Sequence, residues 1–161
     1  MKPNLKSSVS IKGPERAPHR SMYKAMGLTD EDLSKPLIGV ANTWNEVTPC
    51  NIYLNELSSK AKVGVKDAGG TPREFVAISV SDAISMGHEG MKASLISREI
   101  IADSIELVMF AHQYDALVGV AGCDKSLPGT IMAMARLNLP SIFVYGGTIM
   151  PGIYQGKELT I

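Results

Sequence analysis

The hydrophobic residues of this chain form short apolar runs that alternate with longer amphipathic stretches. Runs of about four to eight apolar residues bounded by glycine or polar residues are typical of buried strands. The predicted strands cover residues 37–41, 75–80, 116–121 and 141–145. Apolar residues at helical spacing predict the intervening helices over residues 52–68, 95–112 and 129–137. The alternation indicates an α/β fold, with a parallel or mostly parallel sheet of about four strands joined by right-handed helical crossovers.

The first twenty residues differ in character from the rest. They are rich in Lys, Pro and Ser and show little periodicity, so we interpret residues 1–20 as an N-terminal arm that needs another surface to lie against. A short helix is predicted around residues 21–26, and Thr29 together with Asp32 can begin a further helical turn. The α/β domain is therefore assigned to residues 21–161.

Polar residues follow each predicted strand, at the edge of the sheet where its loops lead into helices. Cys50 lies in the loop after the first strand, Asp82 follows the second, and Cys123, Asp124 and Lys125 follow the third. The loops after parallel strands open on one edge, and this is the edge at which open α/β sheets bind ligands. Both cysteines and both aspartates are therefore expected to converge there.

These side chains offer ligands for two different kinds of metal. Thiolates suit iron or zinc, whereas carboxylates suit magnesium or manganese. Two thiolates are too few for a closed zinc or iron-sulfur site, so at least one further ligand has to come from elsewhere. Lys125 can neutralise an anion or, when its amine is unprotonated, be chemically modified. The alternative interpretation of residues 122–129 is a glycine-rich turn with one buried cysteine and an Asp/Lys surface pair.

Composition and charge narrow the classes of partner. The chain has 161 residues, of which 45% are apolar and 20% charged, and this is typical of one globular domain. Sixteen basic residues balance sixteen acidic ones, so there is no electrostatic signature of nucleic-acid or anionic-membrane binding, and a small-molecule partner is favoured. The sequence shows neither an apolar run of about 20 residues nor a signal-peptide core. With only two cysteines, a cytoplasmic location is expected.

Five motifs carry a resemblance to a known family. They are VTPCN at 47–51, VSDAISMGHEGM at 80–91, SREIIADS at 97–104, GCDK at 122–125 and YGGTI at 145–149. In this order they resemble the N-terminal domain of the dihydroxy-acid dehydratases, and the resemblance extends from about residue 14 to the end of the chain. Several long motifs in the right order are far more specific than one short pattern.

The resemblance implies a hydro-lyase of valine and isoleucine biosynthesis, which converts 2,3-dihydroxy-3-methyl acids into 2-oxo acids. It implies a 2Fe-2S cluster held by three cysteines, two of which match Cys50 and Cys123. It also implies a magnesium ion (Mg2+) held by Asp82, Asp124, a carbamylated Lys125 and a glutamate of the C-terminal domain. The general base of the family is a serine of that domain, so no catalytic base is expected within residues 1–161. Family members are homodimers.

The chain departs from the family pattern at its end. It stops at residue 161, whereas family members continue with more of this domain and a second, barrel-like domain. We therefore interpret it as a truncated N-terminal part of a two-domain enzyme and expect it to be inactive alone. The exact acid stays open, because sugar-acid and phosphogluconate dehydratases share this architecture; the YGGTI motif favours the dihydroxy-acid branch.

Two other functions are compatible with parts of the sequence. One is a noncatalytic α/β fragment or subunit without bound metal. The other is a nucleotide-binding phosphate loop, because residues 119–126 differ at one position from the pattern G-x-x-x-x-G-K-[ST]. That position holds Asp124 instead of glycine, and a carboxylate there repels phosphate. Pro128 is also expected to delay the start of the next helix, which a phosphate loop does not allow.

Overall fold

The centre of the fold is a four-stranded parallel sheet in the order β2-β1-β3-β4, as seen in a computed structural model that describes residues 5–160. Its strands are β1 (Leu37–Asn42), β2 (Thr71–Val76), β3 (Ala116–Ala121) and β4 (Ser141–Tyr145). All three neighbouring pairs run parallel, so the predicted α/β class with helical crossovers is confirmed. A short antiparallel pair, β5 (Gly152–Tyr154) and β6 (Lys157–Leu159), follows β4.

The crossover helices lie on both faces of the sheet, and shorter helices precede it. The helices are α1 (Ser8–Ile11), α2 (Ala17–Ala25), α3 (Asp30–Leu33), α4 (Leu54–Asp67), α5 (Asp82–Ser85), α6 (Lys92–Ala111) and α7 (Ser126–Leu137), with 3-10 turns at Pro14–Arg16 and Glu89–Met91. Helix α2 crosses the boundary drawn at residue 20. Thr29 and Asp32 form the expected helix start, since each caps the backbone N–H of the other.

The core divides into two apolar clusters because side chains alternate along the central strands. Leu37 and Leu117 pack on the face covered by α6 and α7. Val40 and Val120 point to the opposite face, which α4 covers through Leu54. The two central strands are thus buried on both sides, as their continuous apolar sequences predicted.

Several predicted elements begin at different residues in the structure; α6, for example, begins at Lys92 and not at residue 95. The second strand was expected at 75–80 but forms at Thr71–Val76, because β2 is an edge strand whose pairing with β1 starts at Thr71 opposite Leu37. The third crossover helix was expected from residue 129 but begins at Ser126. Pro128 is its third residue, where the first turn does not need the missing N–H. The expected delay by Pro128 is therefore wrong.

Asp115 joins the N-terminal segment to the sheet. Its carboxylate accepts hydrogen bonds from the backbone N–H of Leu37 at 2.8 Å, and from the N–H and hydroxyl of Ser7 at 3.0 and 2.7 Å. Leu37 and Ser7 are both buried. One carboxylate therefore satisfies buried polar groups from two segments far apart in the sequence. Within residues 5–160, no helix combines the length and apolar character needed to cross a membrane.

We expect Asp115→Ala to lower the free energy of unfolding by about 3 kcal/mol, because it leaves buried donors without an acceptor. Urea denaturation followed by circular dichroism measures the change. Asp67→Ala is the control, since Asp67 is exposed at the end of α4. A loss of stability no larger than that of the control would show that Asp115 does not stabilise the packing of the N-terminal segment on the sheet.

Candidate functional site

The loops after β1, β3 and β4 meet at Gly122. A Cβ atom at Gly122 would lie 2.5 Å from the Cys50 carbonyl oxygen, 2.9 Å from the Gly147 Cα and 3.1 Å from the Asn51 Oδ1. Gly147 is equally confined, because its own Cβ would overlap the carbonyl group of Gly122. The contact between these loops therefore requires glycine at both positions. It sets the backbone of Cys50 against the residue that precedes Cys123.

We expect Gly122→Ala to force the loops apart and to destabilise the protein by about 2 kcal/mol, as overpacking of a close contact typically does. Thermal unfolding measures the stability, and the rate of thiol alkylation at buried Cys123 reports the loosening of the site. Gly152→Ala is the matched control, because a Cβ there meets no atom within 4 Å. Equal stability and equal alkylation rates in the two variants would contradict the assigned contact.

The two thiols lie on adjacent loops in different environments. Cys123 is buried directly after β3, whereas Cys50 is half-buried. Burial raises the pKa of the Cys123 thiol to about 12, and the neighbouring Cys50 thiol contributes to the rise. The Ser126 hydroxyl fixes the Cys123 backbone, since it accepts from the Cys123 N–H at 2.9 Å and donates to its carbonyl at 3.0 Å. The structure thus brings together the two cysteines that sequence analysis singled out.

Asparagine side chains shape the loop that carries Cys50. The Oδ1 of Asn45 accepts from the N–H and the hydroxyl of Thr48, at 2.9 and 3.0 Å. The Nδ2 of Asn51 donates to the carbonyl of Thr43 at 2.6 Å. The buried Oδ1 of Asn51 has no hydrogen-bond partner among the described residues, so this loop also holds an unused acceptor beside Gly122. Cys50 therefore lies between Thr48 and Asn51, which these hydrogen bonds hold in place.

Asp82 links the loop after β2 to the loop after β3. One carboxylate oxygen accepts from the Lys125 ammonium, and the other accepts from the Ser94 hydroxyl at 2.5 Å. Burial alone would raise the pKa of Asp82, but the hydrogen bonds from Lys125 and Ser94 and the charge of Lys125 outweigh it and lower the pKa. Asp82 is therefore an ionised carboxylate that faces a cation. The Lys125 and Asp82 side chains are 20% and 12% exposed.

Asp124, which follows Cys123, completes the set of predicted residues. It is exposed, and its Oδ2 lies 3.8 Å from the Cys123 Sγ. Nowhere in residues 5–160 do three or more His, Cys, Asp or Glu side chains form a group that could hold a metal ion. The site therefore consists of two pairs, Cys50 with Cys123 and Asp82 with Lys125, and Asp124 adjoins the first pair.

Ser94 and Ser126 are polar contacts that sequence analysis missed. Both lie in the first turn of a helix, Ser94 in α6 and Ser126 in α7. Their positions just after the VSDAISMGHEGM and GCDK motifs were the available signal. Which atom each serine reaches depends on the orientation of its helix, and the one-dimensional pattern does not contain that orientation.

The arrangement does not support a phosphate loop. Lys125 is already paired with Asp82, and the exposed Asp124 carboxylate occupies the position that needs glycine. The backbone N–H of Cys123 donates to Ser126, and that of Leu127 to the Cys123 carbonyl. These donors are therefore used within the turn and do not point to a ligand.

The chemistry of the donor set fits two kinds of metal centre. A soft metal or cluster can be held by Cys50 and Cys123, once metal binding replaces their protons. A hard cation suits the carboxylates of Asp82 and Asp124. The ion pair between Lys125 and Asp82 shows that the Asp82 carboxylate faces a positive charge. Each centre needs ligands in addition to those found among residues 5–160.

Comparisons with known proteins give a consistent result. The model of the dihydroxy-acid/6-phosphogluconate dehydratase N-terminal family matches residues 35–161. Dihydroxy-acid dehydratase of Parvibaculum lavamentivorans is 62% identical over 149 residues, covering 92% of this chain and 26% of the relative. That of Pelagibacter ubique is 60% identical over 160 residues, covering 99% and 28%. That of Natronomonas pharaonis is 60% identical over 157 residues, covering 98% and 26%. The chain thus spans about a quarter of the length of these relatives.

Proposed function

Because this chain belongs to the dihydroxy-acid/6-phosphogluconate dehydratase family, we propose that it is the N-terminal region of a hydro-lyase that dehydrates 2,3-dihydroxy-3-methyl acids to 2-oxo acids. The observation that carries the proposal is the pairing of Cys50 with Cys123, and of Asp82 with Lys125, at the ligand-binding edge of the sheet. The YGGTI motif at 145–149 and the names of the relatives support the dihydroxy-acid branch. The proposal includes a role in branched-chain amino-acid biosynthesis, a cytoplasmic location and a homodimeric enzyme.

In this proposal Cys50 and Cys123 are two ligands of a 2Fe-2S cluster, and Asp82, Asp124 and a carbamylated Lys125 are ligands of Mg2+. When bound, the cluster and the ion supply Lewis acidity toward the departing hydroxyl and toward the carboxylate end of the substrate. Carbamylation converts the Lys125 cation into an anionic oxygen donor. That donor would adjoin the Asp82 carboxylate, and a bound cation would offset the repulsion between the two negative charges.

The protein contributes orientation and exclusion of water. The Ser94 hydroxyl holds one oxygen of Asp82, which directs the other oxygen toward Lys125. The contact between Gly122 and Gly147 holds the loop of Cys50 against the loop of Cys123. Cys123 and Asp82 are both nearly inaccessible to water, and low local polarity strengthens their interactions with cations.

A chimera tests the proposal. This chain replaces the matching 160 residues of the Pelagibacter ubique relative, and the product is assayed with 2,3-dihydroxyisovalerate for 2-oxo acid. The parent relative is the positive control, and the 161-residue chain alone is the comparison. We expect turnover by the chimera and none by the chain alone. A catalytic site whose residues act together loses most of its activity when any one of them is missing.

Two outcomes would contradict this function, and a third would contradict the expected inactivity of the chain alone. Dehydration of a sugar acid or of phosphogluconate, without activity on the dihydroxy acid, would overturn the substrate class. A folded chimera without iron would favour the noncatalytic alternative. Turnover by the chain alone would show that its own residues supply a base and the missing ligands.

A further inference from the structure

A second concave region lies along β2, the edge strand of the sheet. It is a cleft of about 780 Å³ whose walls come from α3, α4 and the start of β2. None of Cys50, Asp82, Cys123, Asp124 and Lys125 lines this cleft. The cleft is therefore distinct from the candidate site of the preceding subsections.

Basic side chains dominate the lining of the cleft. Its cationic residues are Lys35, Lys62, Lys66 and Arg73, and its carboxylates are Asp32 and Glu74. Both carboxylates are already used by the fold. Asp32 accepts from the N–H and hydroxyl of Thr29 at 2.9 and 2.7 Å. Glu74 accepts from Asn42 at 2.9 Å and from Ser58 at 2.6 Å.

The cations are only partly compensated. Lys35 and Lys62 each pair with one carboxylate. For the side chains of Lys66 and Arg73, the part of the chain that the structure describes provides neither an ion pair nor a hydrogen bond. Arg73 is also half-buried. The positive charge at this end of the sheet is therefore available to an anion.

We propose that this cleft binds a small organic polyanion. The guanidinium fork of Arg73 matches the paired oxygens of a phosphate or carboxylate group, and Lys66 supplies a second cation. Met26, Leu28 and Val63 give the cleft an apolar wall, which suits the organic part of such a ligand. The volume lies within the range of about 300–1,000 Å³ of small-molecule sites and is too small for a folded partner.

Titration calorimetry of the purified protein with ATP, pyrophosphate and citrate tests the proposal. Mg2+ is omitted, so that the anions act free of metal. We expect saturable binding of at least one probe with a Kd below about 1 mM at low salt. Binding of ATP or pyrophosphate but not citrate would identify phosphate as the recognised group, and the reverse would identify carboxylate. Either result supports the site.

Substitutions of residues that line the cleft test whether the anion binds there. Arg73→Gln and Lys66→Gln should each raise the Kd about tenfold, because each removes a charge-assisted contact. Lys60→Gln is the matched control, since Lys60 is exposed on the same helix α4 but does not line the cleft; its Kd should stay within about twofold. Asp82→Asn should leave the Kd unchanged, because Asp82 does not line the cleft.

Arg73→Lys keeps the proposal testable if Arg73→Gln misfolds, because it keeps the charge and loses the fork. We expect it to weaken binding by less than Arg73→Gln does. Circular dichroism establishes that each variant is folded. Absence of saturable binding for all three probes would overturn the proposal. An equal loss in Lys60→Gln and Lys66→Gln would also overturn it, since that result indicates general electrostatic attraction without a site.

Discussion

Changing Cys123 to alanine is expected to remove most of the iron from the chimera with the Pelagibacter ubique relative. Cys123 is one of three proposed thiolate ligands, and two remaining thiolates do not retain a cluster of this type. The fold should survive, because the change removes a single buried sulfur atom from the end of β3. Iron and acid-labile sulfide per polypeptide, together with visible absorption, measure the loss.

Cys50→Ala should give the same result if the two thiols serve one centre. Ser59→Ala is the matched control, because it also removes one side-chain heavy atom but at an exposed position of α4. Unchanged iron in Cys50→Ala, with loss in Cys123→Ala, would remove Cys50 from the site. Unchanged iron in both variants would leave the cluster assignment without support.

The central strands were predictable because burial on both faces leaves a continuous apolar signal. β3 and β4 have the bounds that the sequence indicated, Ala116–Ala121 and Ser141–Tyr145. β2 was misplaced because it is an edge strand, and its two central residues are Arg73 and Glu74. The apolar residues Ala77, Ile78 and Val80 led to the wrong prediction, because they lie in the link between β2 and α5.

The topology of the sheet was sufficient to predict that the loops meet at one edge, but it did not predict the individual contacts between them. Parallel strands bring their loops to one edge, and this is sufficient to predict that Cys50, Asp82 and Cys123 lie in the same region. The ion pair between Asp82 and Lys125 depends on how α5 is oriented after the link from β2. The contact of Gly122 with Gly147 depends on interatomic distances that no pattern of residue types contains.

The two thiols and the buried Asp82 carboxylate occupy different parts of the candidate site, and this separation predicts different phenotypes. The thiols follow β1 and β3, and the buried carboxylate follows β2 and contacts α6 through Ser94. A change at Asp82 therefore leaves both thiols in place. Loss of iron and loss of turnover should then be separable by mutation.

Asp82→Asn is expected to reduce turnover of the chimera by more than about 100-fold while its iron content stays near normal. The change removes one anionic oxygen ligand from the proposed magnesium site, and even the loss of an outer partner of a metal ligand typically costs about 10- to 100-fold. The amide still accepts from Ser94, so the local fold is kept, but Lys125 loses its counter-charge. Steady-state formation of 2-oxo acid at several Mg2+ concentrations, with iron analysis of the same sample, measures both effects.

Two further variants separate the effect of the Asp82 charge from the effect of its orientation and from a general loss of negative charge. Ser94→Ala keeps the charge of Asp82 and removes the hydrogen bond that orients it, so we expect a smaller loss, of about 10-fold, that excess Mg2+ partly restores. Asp67→Asn removes an exposed carboxylate and should leave turnover unchanged. Full activity in Asp82→Asn would remove this residue from the magnesium site. Loss of iron together with activity would instead indicate that Asp82 supports the whole edge of the sheet, because a purely hard ligand has no contact with the soft centre.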